Sequence, residues 1–440
     1  MSDNAQIIHD SDRERFIPIS KQEIVTDLLN NSNWDREEKK LFGDFCQIFA
    51  ALYHYKFHSH LEELKRCYTS FNPDNDIISK QEYSAQQQQE QKNSLVKEIK
   101  KLLDNANYEI LEIDEINQAM MADSYSGLSV SVDLEDFEQL VVYYRGLATK
   151  VEQKRHWTSL FLRKKTFEVP IYKRMFMLLK LKSETKRVQE LVAIKGEEFT
   201  KKLEQQVHKS RGSLPADINE RHIFLKLFKN IPRSDLEMLF PNRNINLRLF
   251  DKIRLAITGG AGTLFGIIST VGKLATIVVL SPISILIAFG GLIGVIFRQI
   301  MSIFTQRNKY TMVLSQNLYF HNMDNNFGVI SHLIDNAAEE EGKEAILAYY
   351  FLYTNPEKNF TQQELDAEVE KYIEERYGVS IDFEIDDGIG KLREEGILIE
   401  QDDGTLKVLD LQKSCERIDE QWDNFFCPKE NCKNSSSPPS

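Results

Sequence analysis

Address signals are what this sequence most plainly lacks. Met1 to Glu14 is polar and acidic without an apolar stretch, which argues against a secretory signal peptide. It also lacks the Arg-rich, acid-poor character of an organellar transit peptide. Cysteine is scarce: Cys46, Cys67, Cys415, Cys427 and Cys432 are odd in number and scattered over 440 residues. That spacing argues against a disulfide framework and points to a reducing compartment. Catalytic signatures are missing too. Thr258-Gly259-Gly260-Ala261-Gly262 invites a phosphate-loop reading, but Gly272-Lys273 is followed by Leu274 rather than Ser or Thr. The dinucleotide pattern breaks at Phe265, and no G-x-S-x-G occurs. His54 and His58 have the i, i+4 spacing of zinc ligands, with His60 nearby, and are weak metal candidates. Tyr55 stands where H-E-x-x-H needs its glutamate, so a polar helix end carrying histidines explains them better. No catalytic residue and no cofactor is expected.

What the sequence does contain is one long apolar run. A membrane span needs roughly 20 mostly apolar residues, and Leu255–Phe304 supplies two such lengths, split at Ser281-Pro282. The expected result is a transmembrane helical hairpin, Ile257–Leu280 and Ile283–Phe304, with Pro282 near the start of the second helix. Gly262, Gly266, Gly290 and Gly294 form two small-residue pairs that would let helices approach closely, within the hairpin or between copies. Lys273 would snorkel to the interface or, alternatively, line a pore. Basic flanks, including Arg254 and Arg298, place both termini on the cytoplasmic, or matrix or stromal, face of a multi-pass membrane protein.

Charge is spread unevenly around that run. Arg145 to Arg211 holds 18 basic and 7 acidic residues, a net +11, whereas Glu339 to Glu420 holds 9 basic and 24 acidic, a net −15. The basic block suggests contact with anionic lipid, with Lys164, Lys165, Lys173, Arg174, Arg254 and Arg298 as surface candidates. Nucleic acid is excluded as a partner of the acidic block. Its presumptive recognition helix carries Glu384, Asp386, Asp387, Glu394 and Glu395 against Lys391 and Arg393, and would repel phosphates.

Periodicity divides the rest. Apolar residues at helical spacing mark Asp35–Tyr55, and Ser20 and Thr361 open helices with Glu23 and Glu364 at capping-box offsets. Leu128–Val132, Leu140–Tyr144, Phe167–Tyr172, Met175–Leu181 and Ile223–Phe228 read as strands, with Glu184–Lys209 a charged helix between the later ones. Three helices and a hairpin between Lys343 and Leu409 look like a winged-helix unit. The expected fold class is therefore α+β with a transmembrane helical hairpin. It comprises an N-terminal helical region (1–106), a basic α+β domain with a small mixed sheet (107–252), the hairpin (253–304), a helical connector (305–340), an acidic winged-helix-like domain (341–412) and a disordered tail (427–440).

Several motifs together resemble the transmembrane protein 143-like family, built on a domain of unknown function. They are Phe167–Arg174, Phe228–Pro232, Asp235–Pro241, Leu318-Tyr319-Phe320, Asp324-Asn325-Asn326, Lys343-Glu344-Ala345 and Ala348–Leu352. The resemblance, over about 133–409, implies a membrane protein and brings no catalytic residues. The expected function is a membrane-anchored adaptor or scaffold binding a protein partner through its acidic C-terminal domain. The alternatives are an oligomeric solute or ion pathway built from the hairpins, and a metal-dependent hydrolase using the histidines. Expected partners are membrane lipids, a protein, and a second copy of the chain.

Overall fold

Ser, Thr or Asp precedes most of the long helices, and in each such case its side chain takes up a free backbone N–H. Ser20, Asp35, Ser84, Ser183, Thr361 and Asp410 play this part. The computed structural model describes residues 7–9, 13–74, 83–121, 129–155, 164–212, 214, 218–242, 244–246, 294, 298, 301, 305, 312 and 318–425. Within these, the named helices are α1 (Lys21–Asn31), α2 (Arg36–Tyr68), α3 (Ala85–Asn105), α4 (Ile113–Met121), α5 (Glu184–Lys195), α6 (Thr200–Arg211), α7 (Phe327–Thr354), α8 (Gln362–Tyr377), α9 (Ile385–Glu394) and α10 (Leu411–Asn424). The strands are β1 (Ile7–His9), β2 (Glu109–Ile110), β3 (Ser129–Ser131), β4 (Phe137–Arg155), β5 (Lys164–Leu181), β6 (Phe224–Pro232), β7 (Asn244–Asn246), β8 (Asn322–Asn325), β9 (Leu398–Glu400) and β10 (Leu406–Val408).

The central sheet runs β1-β4-β5-β6-β8, with β2 also on β4. Every strand pairing in it is antiparallel. The expected mixed sheet is thus corrected to an antiparallel one, and the two short strands foreseen over Phe167–Leu181 are one continuous strand. Pro170 can sit inside it because the pairing with β6 begins only at Ile171. Side chains alternate across this sheet. Val141, Tyr143, Phe176, Leu178, Leu225 and Leu227 face the helices. Val142, Met175, Met177, Leu179 and Phe228 face a smaller core closed by Ile116, Leu236 and Phe240. The single charged helix expected at Glu184–Lys209 is two helices, α5 and α6, broken at Gly196, whose φ is +99°.

One apolar cluster joins the first helices to the last, from Ile17 through Ile418. Its axis is α7, packed against α2 through Phe45 and Tyr349, whose rings stack at 4.2 Å. Trp34 makes edge contacts with Phe42, Tyr350 and Tyr353 at 5.1–5.6 Å. The C-terminal part has the order helix, helix, helix, hairpin: the end of α7, then α8 with a complete capping box at Thr361 and Glu364, then α9, then β9 and β10. Helix α9 does not stand free. It lies against α7, and Lys391 pairs with buried Glu341 at 3.1 Å.

The transmembrane hairpin is corrected as well. Among the described residues, no helix is long and apolar enough to cross a membrane. Charges recur along the long helix α2 and interrupt α7 between Asp335 and Glu344, and the apolar faces of both pack into the core. The expected multi-pass membrane placement, with both termini on one face, falls with that hairpin. Gly262, Gly266, Lys273, Pro282, Gly290 and Arg254 lie outside the described residues, as does the expected tail at 427–440, whereas Gly294 and Arg298 occupy exposed helical positions.

The middle of α7 carries an unusual run for a core helix: Glu340, Glu341, Lys343 and Glu344 are all at most 3 % exposed. Lys343 Nζ donates to Glu340 Oε1 at 2.7 Å and to the backbone oxygens of Ile17 (2.7 Å) and Ile19 (3.1 Å). Glu340 also accepts from Ile17 N at 3.1 Å and from Arg145 Nη2 at 3.1 Å. Removing one partner of such a knot strands the others without water. Lys343→Met is therefore expected to cost about 3–5 kcal/mol of stability, read by urea unfolding, whereas a loss below about 1 kcal/mol would show that the knot contributes little net stability.

Candidate functional site

Residues Arg13 to Ile19 form a strap along the surface: side chains alternate over Arg13–Arg15, and the chain then bends at Arg15 and Phe16 so that Ile17 and Ile19 turn inward. Glu14 turns inward, 8 % exposed, and pairs with Lys173 of β5. Arg13 and Arg15 turn outward to the C-terminal unit. Between them the backbone of Glu14 docks as an added strand: Glu14 N donates to Ser380 O at 3.2 Å, and Asp382 N donates to Glu14 O at 2.9 Å, a parallel bridge to Ile381. Further on, Phe16 lies under the Arg145 guanidinium at 4.4 Å and the Lys173 ammonium at 5.7 Å. The strap can pass this close because residue 146 is glycine. Its φ is +76°, and a Cβ there would fall 2.8 Å from Lys173 Cδ and 2.9 Å from Glu14 Oε2.

The receiving surface is acidic. Asp366 and Glu370 stand one turn apart on α8, while Leu365, Val369 and Ile373 bury its other side. Asp382 and Glu384 lie in the segment leading into α9. Arg13 reaches Glu370 with both guanidinium nitrogens, Nη1 to Oε1 and Nη2 to Oε2, each 3.1 Å. That is the two-pronged geometry in which arginine binds carboxylate best. Arg15 pairs with Glu384 through Nε at 2.8 Å. Negative charge remains in excess even so. Burial, together with Glu370 and Asp382, pushes the Asp366 carboxyl up to about 6 against the pull of Arg13. Its Oδ1 is buried without a hydrogen bond. Four carboxylates therefore meet two arginines along a backbone edge that takes Glu14 as an added strand residue. Chemically, this arrangement holds two arginine side chains of the strap against paired carboxylates.

A second polar site lies where α2, α3, α7 and α9 meet, a cavity of about 230 Å³. Lys56, Lys391, Glu341, Glu394 and His60 line it, with Tyr53 at its wall. Burial pushes Glu341 up to about 7 although Lys391 pulls it down, and Glu344 beside it is driven well above the ordinary carboxylate range. Lys56 bridges buried Glu395 and exposed Glu394. Lys56, Lys391, Glu341 and Glu394 are thus paired within the fold, and we read the cavity as an extension of the core knot.

The residues singled out by sequence scatter. His54, His58 and His60 are exposed on α2, and among the described residues no group of three His, Cys, Asp or Glu could hold a metal ion. Lys164 and Lys165 begin β5. Lys173 is engaged by Glu14, and Arg174 is half-buried, its charge disfavoured by burial and by Arg145. Other members of the basic block are paired too: Arg145 with Glu340, Lys180 with Glu138, and Arg187 with Asp133 and Asp136. Asp324-Asn325-Asn326 proves to be a joint. Asn326, at φ +48°, exchanges hydrogen bonds with Leu225 and accepts from Tyr68 Oη, while Asn325 accepts from Lys226. The strap was missed entirely, although Arg13-Glu14-Arg15 has the alternating charge of an edge strand. Three residues are too short a window for periodicity to register.

Residues 137–328, from β4 into the start of α7, are covered by a domain described as a protein of unknown function (DUF3754). No solved structure matches the chain. The strap and its acidic groove both lie outside the matched segment.

Glu341 gives a pH signature. Its carboxyl holds a proton to about pH 7 in the fold, whereas an unfolded chain releases it near the ordinary carboxylate value of about 4.3. Between these limits the native state binds more protons, so its stabilising share is full below the unfolded value and is lost as pH rises through about 7. Glu341→Gln should therefore leave stability nearly unchanged at pH 4–5 and raise it at pH 8, by urea unfolding beside the parent. A difference that stays constant across this range would show that Glu341 does not titrate there.

Proposed function

We propose that this chain is a binding protein rather than an enzyme, and that it recruits a protein partner through the acidic face of its C-terminal unit. One observation supports this above the others. Groove carboxylates Asp366, Glu370, Asp382 and Glu384 outnumber the arginines that reach them, and Asp366 keeps a buried oxygen without a hydrogen bond. A surface with surplus buried acceptors favours a cationic partner and repels an anionic one. Further exposed acids, Glu374 and Glu375 on α8, Asp386 on α9 and Asp402 and Asp403 in the β9–β10 turn, extend that field. The sequence's own acidic helix is only part of this face, since Lys391, Glu394 and Glu395 are engaged with α2 and α7.

The finer kinship, to the transmembrane protein 143-like family, belongs to this proposal and is supported by motifs such as Phe167–Arg174 and Asp235–Pro241. Within the fold these serve β5 and the 3-10 turn Arg233–Leu239, so the kinship names the scaffold and leaves the partner to the acidic face.

Fluorescence anisotropy with the full chain tests the reading. Labelled arginine-rich peptides should bind at low ionic strength and weaken steeply with salt, since exposed charges are screened over about 8–10 Å at physiological ionic strength. Glutamate-rich peptides of equal length should not bind. Asp382→Lys with Asp386→Lys should weaken the interaction at least about tenfold, two charge reversals at roughly 1 kcal/mol each. Equal affinity for basic and acidic peptides would overturn the proposal.

A further inference from the structure

The groove already holds a ligand, and that ligand belongs to the chain itself. Arg13, Glu14 and Arg15 occupy it with the features of peptide recognition by strand addition: a backbone bridge for affinity and alternate side chains for specificity. We infer that the partner's contact segment is an extended chain carrying arginines at positions i and i+2, added parallel to residues 380–382 in place of the strap's own Arg13-Glu14-Arg15. The inference rests on the proposed acidic-face reading and specifies it.

Three observations carry it beyond charge complementarity. The first is register. In an extended chain, residues i and i+2 point the same way, and Glu370 and Glu384 are spaced to take Arg13 and Arg15 while the backbone of Glu14 bonds to Ser380 and Asp382. Lysine would lose the two-pronged contact at Glu370, so arginine is the cation favoured. The second is that the strap is held unevenly. Arg13 and Arg15 are 58 % and 45 % exposed at the side chain, in pairs that water weakens, whereas Ile17 and Ile19 are buried and their carbonyls are held by Lys343. For the tip to leave, Glu14 must also give up its pair with Lys173, while Ile17 and Ile19 keep the base anchored. The third is Asp366, whose Oδ1 is buried without a hydrogen bond although Arg13 pulls on its charge, an acceptor that a more basic segment would use.

The strap is then a competitor tethered in place. A tethered segment acts at an effective concentration in the millimolar range when its linker is short. A partner with the same motif must exceed that, so the native chain binds weakly until the tip is displaced or weakened.

The probe is a synthetic peptide with the sequence of residues 11–17, Ser-Asp-Arg-Glu-Arg-Phe-Ile, labelled and titrated into the full chain. Arg13→Ala with Arg15→Ala leaves Ile17, Ile19 and Lys343 intact. This variant should bind the peptide at least tenfold more tightly than the unmodified chain does. Glu370→Ala added to it should abolish the gain, and a peptide with its arginines three apart should not compete. Hydrogen–deuterium exchange on the unmodified chain gives a readout that does not depend on how the variant folds. Saturating peptide should speed exchange at Glu14 if it displaces the strap, while Asp382, bonded by the peptide in turn, stays protected. Equal affinity in the two proteins, with no change in exchange, would overturn the competition while leaving basic-peptide binding through the acidic face standing. Failure of every basic peptide would overturn both readings. Light scattering that shows the variant pairing with itself, and the peptide merely dissociating that pair, would assign the groove to a second copy and overturn the heterologous partner.

Discussion

A single buried ammonium organises this molecule. Lys343 lies in the middle of α7, within a helix whose apolar positions form the main core, and it closes the hydrogen-bonding needs of Glu340 on its own helix and of two strap carbonyls. Glu340 beside it links to Arg145 on β4, and the carbonyls of Ile17 and Ile19 fix the strap above it. Sheet, strap and terminal helices therefore share one ionic centre. A buried pair of this kind is a poor source of net stability but a strong source of uniqueness when every lone pair is occupied. Arg145, further held by Phe16, Tyr108 and the carbonyl of Ala106, shows how completely the centre is enclosed.

That centre also sets the limits of what charge counts reveal. A net +11 over Arg145–Arg211 and a net −15 over Glu339–Glu420 read as two surfaces in a linear sequence. In the fold they are partly each other's partners. Arg145 answers Glu340 across the two blocks, and Lys173 answers Glu14, which lies in neither. Composition windows measure charge before pairing, whereas a partner meets only what pairing leaves over. In the C-terminal unit the remainder is still acidic, because Glu374, Glu375, Asp382, Asp386, Asp402 and Asp403 stay exposed.

Local signals were legible where they act over a turn or a strand. Caps at Ser20 and Thr361 and the short hairpin before Leu409 all follow from side chains acting within four residues. The strand over Ile223–Phe228 was readable for the same reason, although it runs on through Pro232. Signals that depend on distant partners were not. Nothing near Pro170 says that the strand continues through it, because the answer lies in where β6 begins to pair. The hydropathy of 253–304 suggested a membrane hairpin by run length alone, while the helices described here place their apolar faces on one another. The groove was illegible for a stronger reason: each of its carboxylates looks like ordinary surface until Arg13 and Arg15 arrive from the far end of the chain.

That distance has a kinetic meaning. Arg13 and Glu370 are separated by 357 positions, and the contact cannot form until nearly the whole chain has left the ribosome. Synthesis at roughly 5–20 residues per second leaves the strap's arginines and backbone without their native partner for tens of seconds. Contacts of such sequence separation close last and slowly, since loop entropy must be overcome before they contribute. The growing chain thus exposes an extended arginine-bearing segment first and its acidic receptor much later. An edge strand waiting that long invites pairing with whatever passes, and the inward-facing Glu14 is the kind of charge that guards an edge until its proper neighbour, Lys173, is in place.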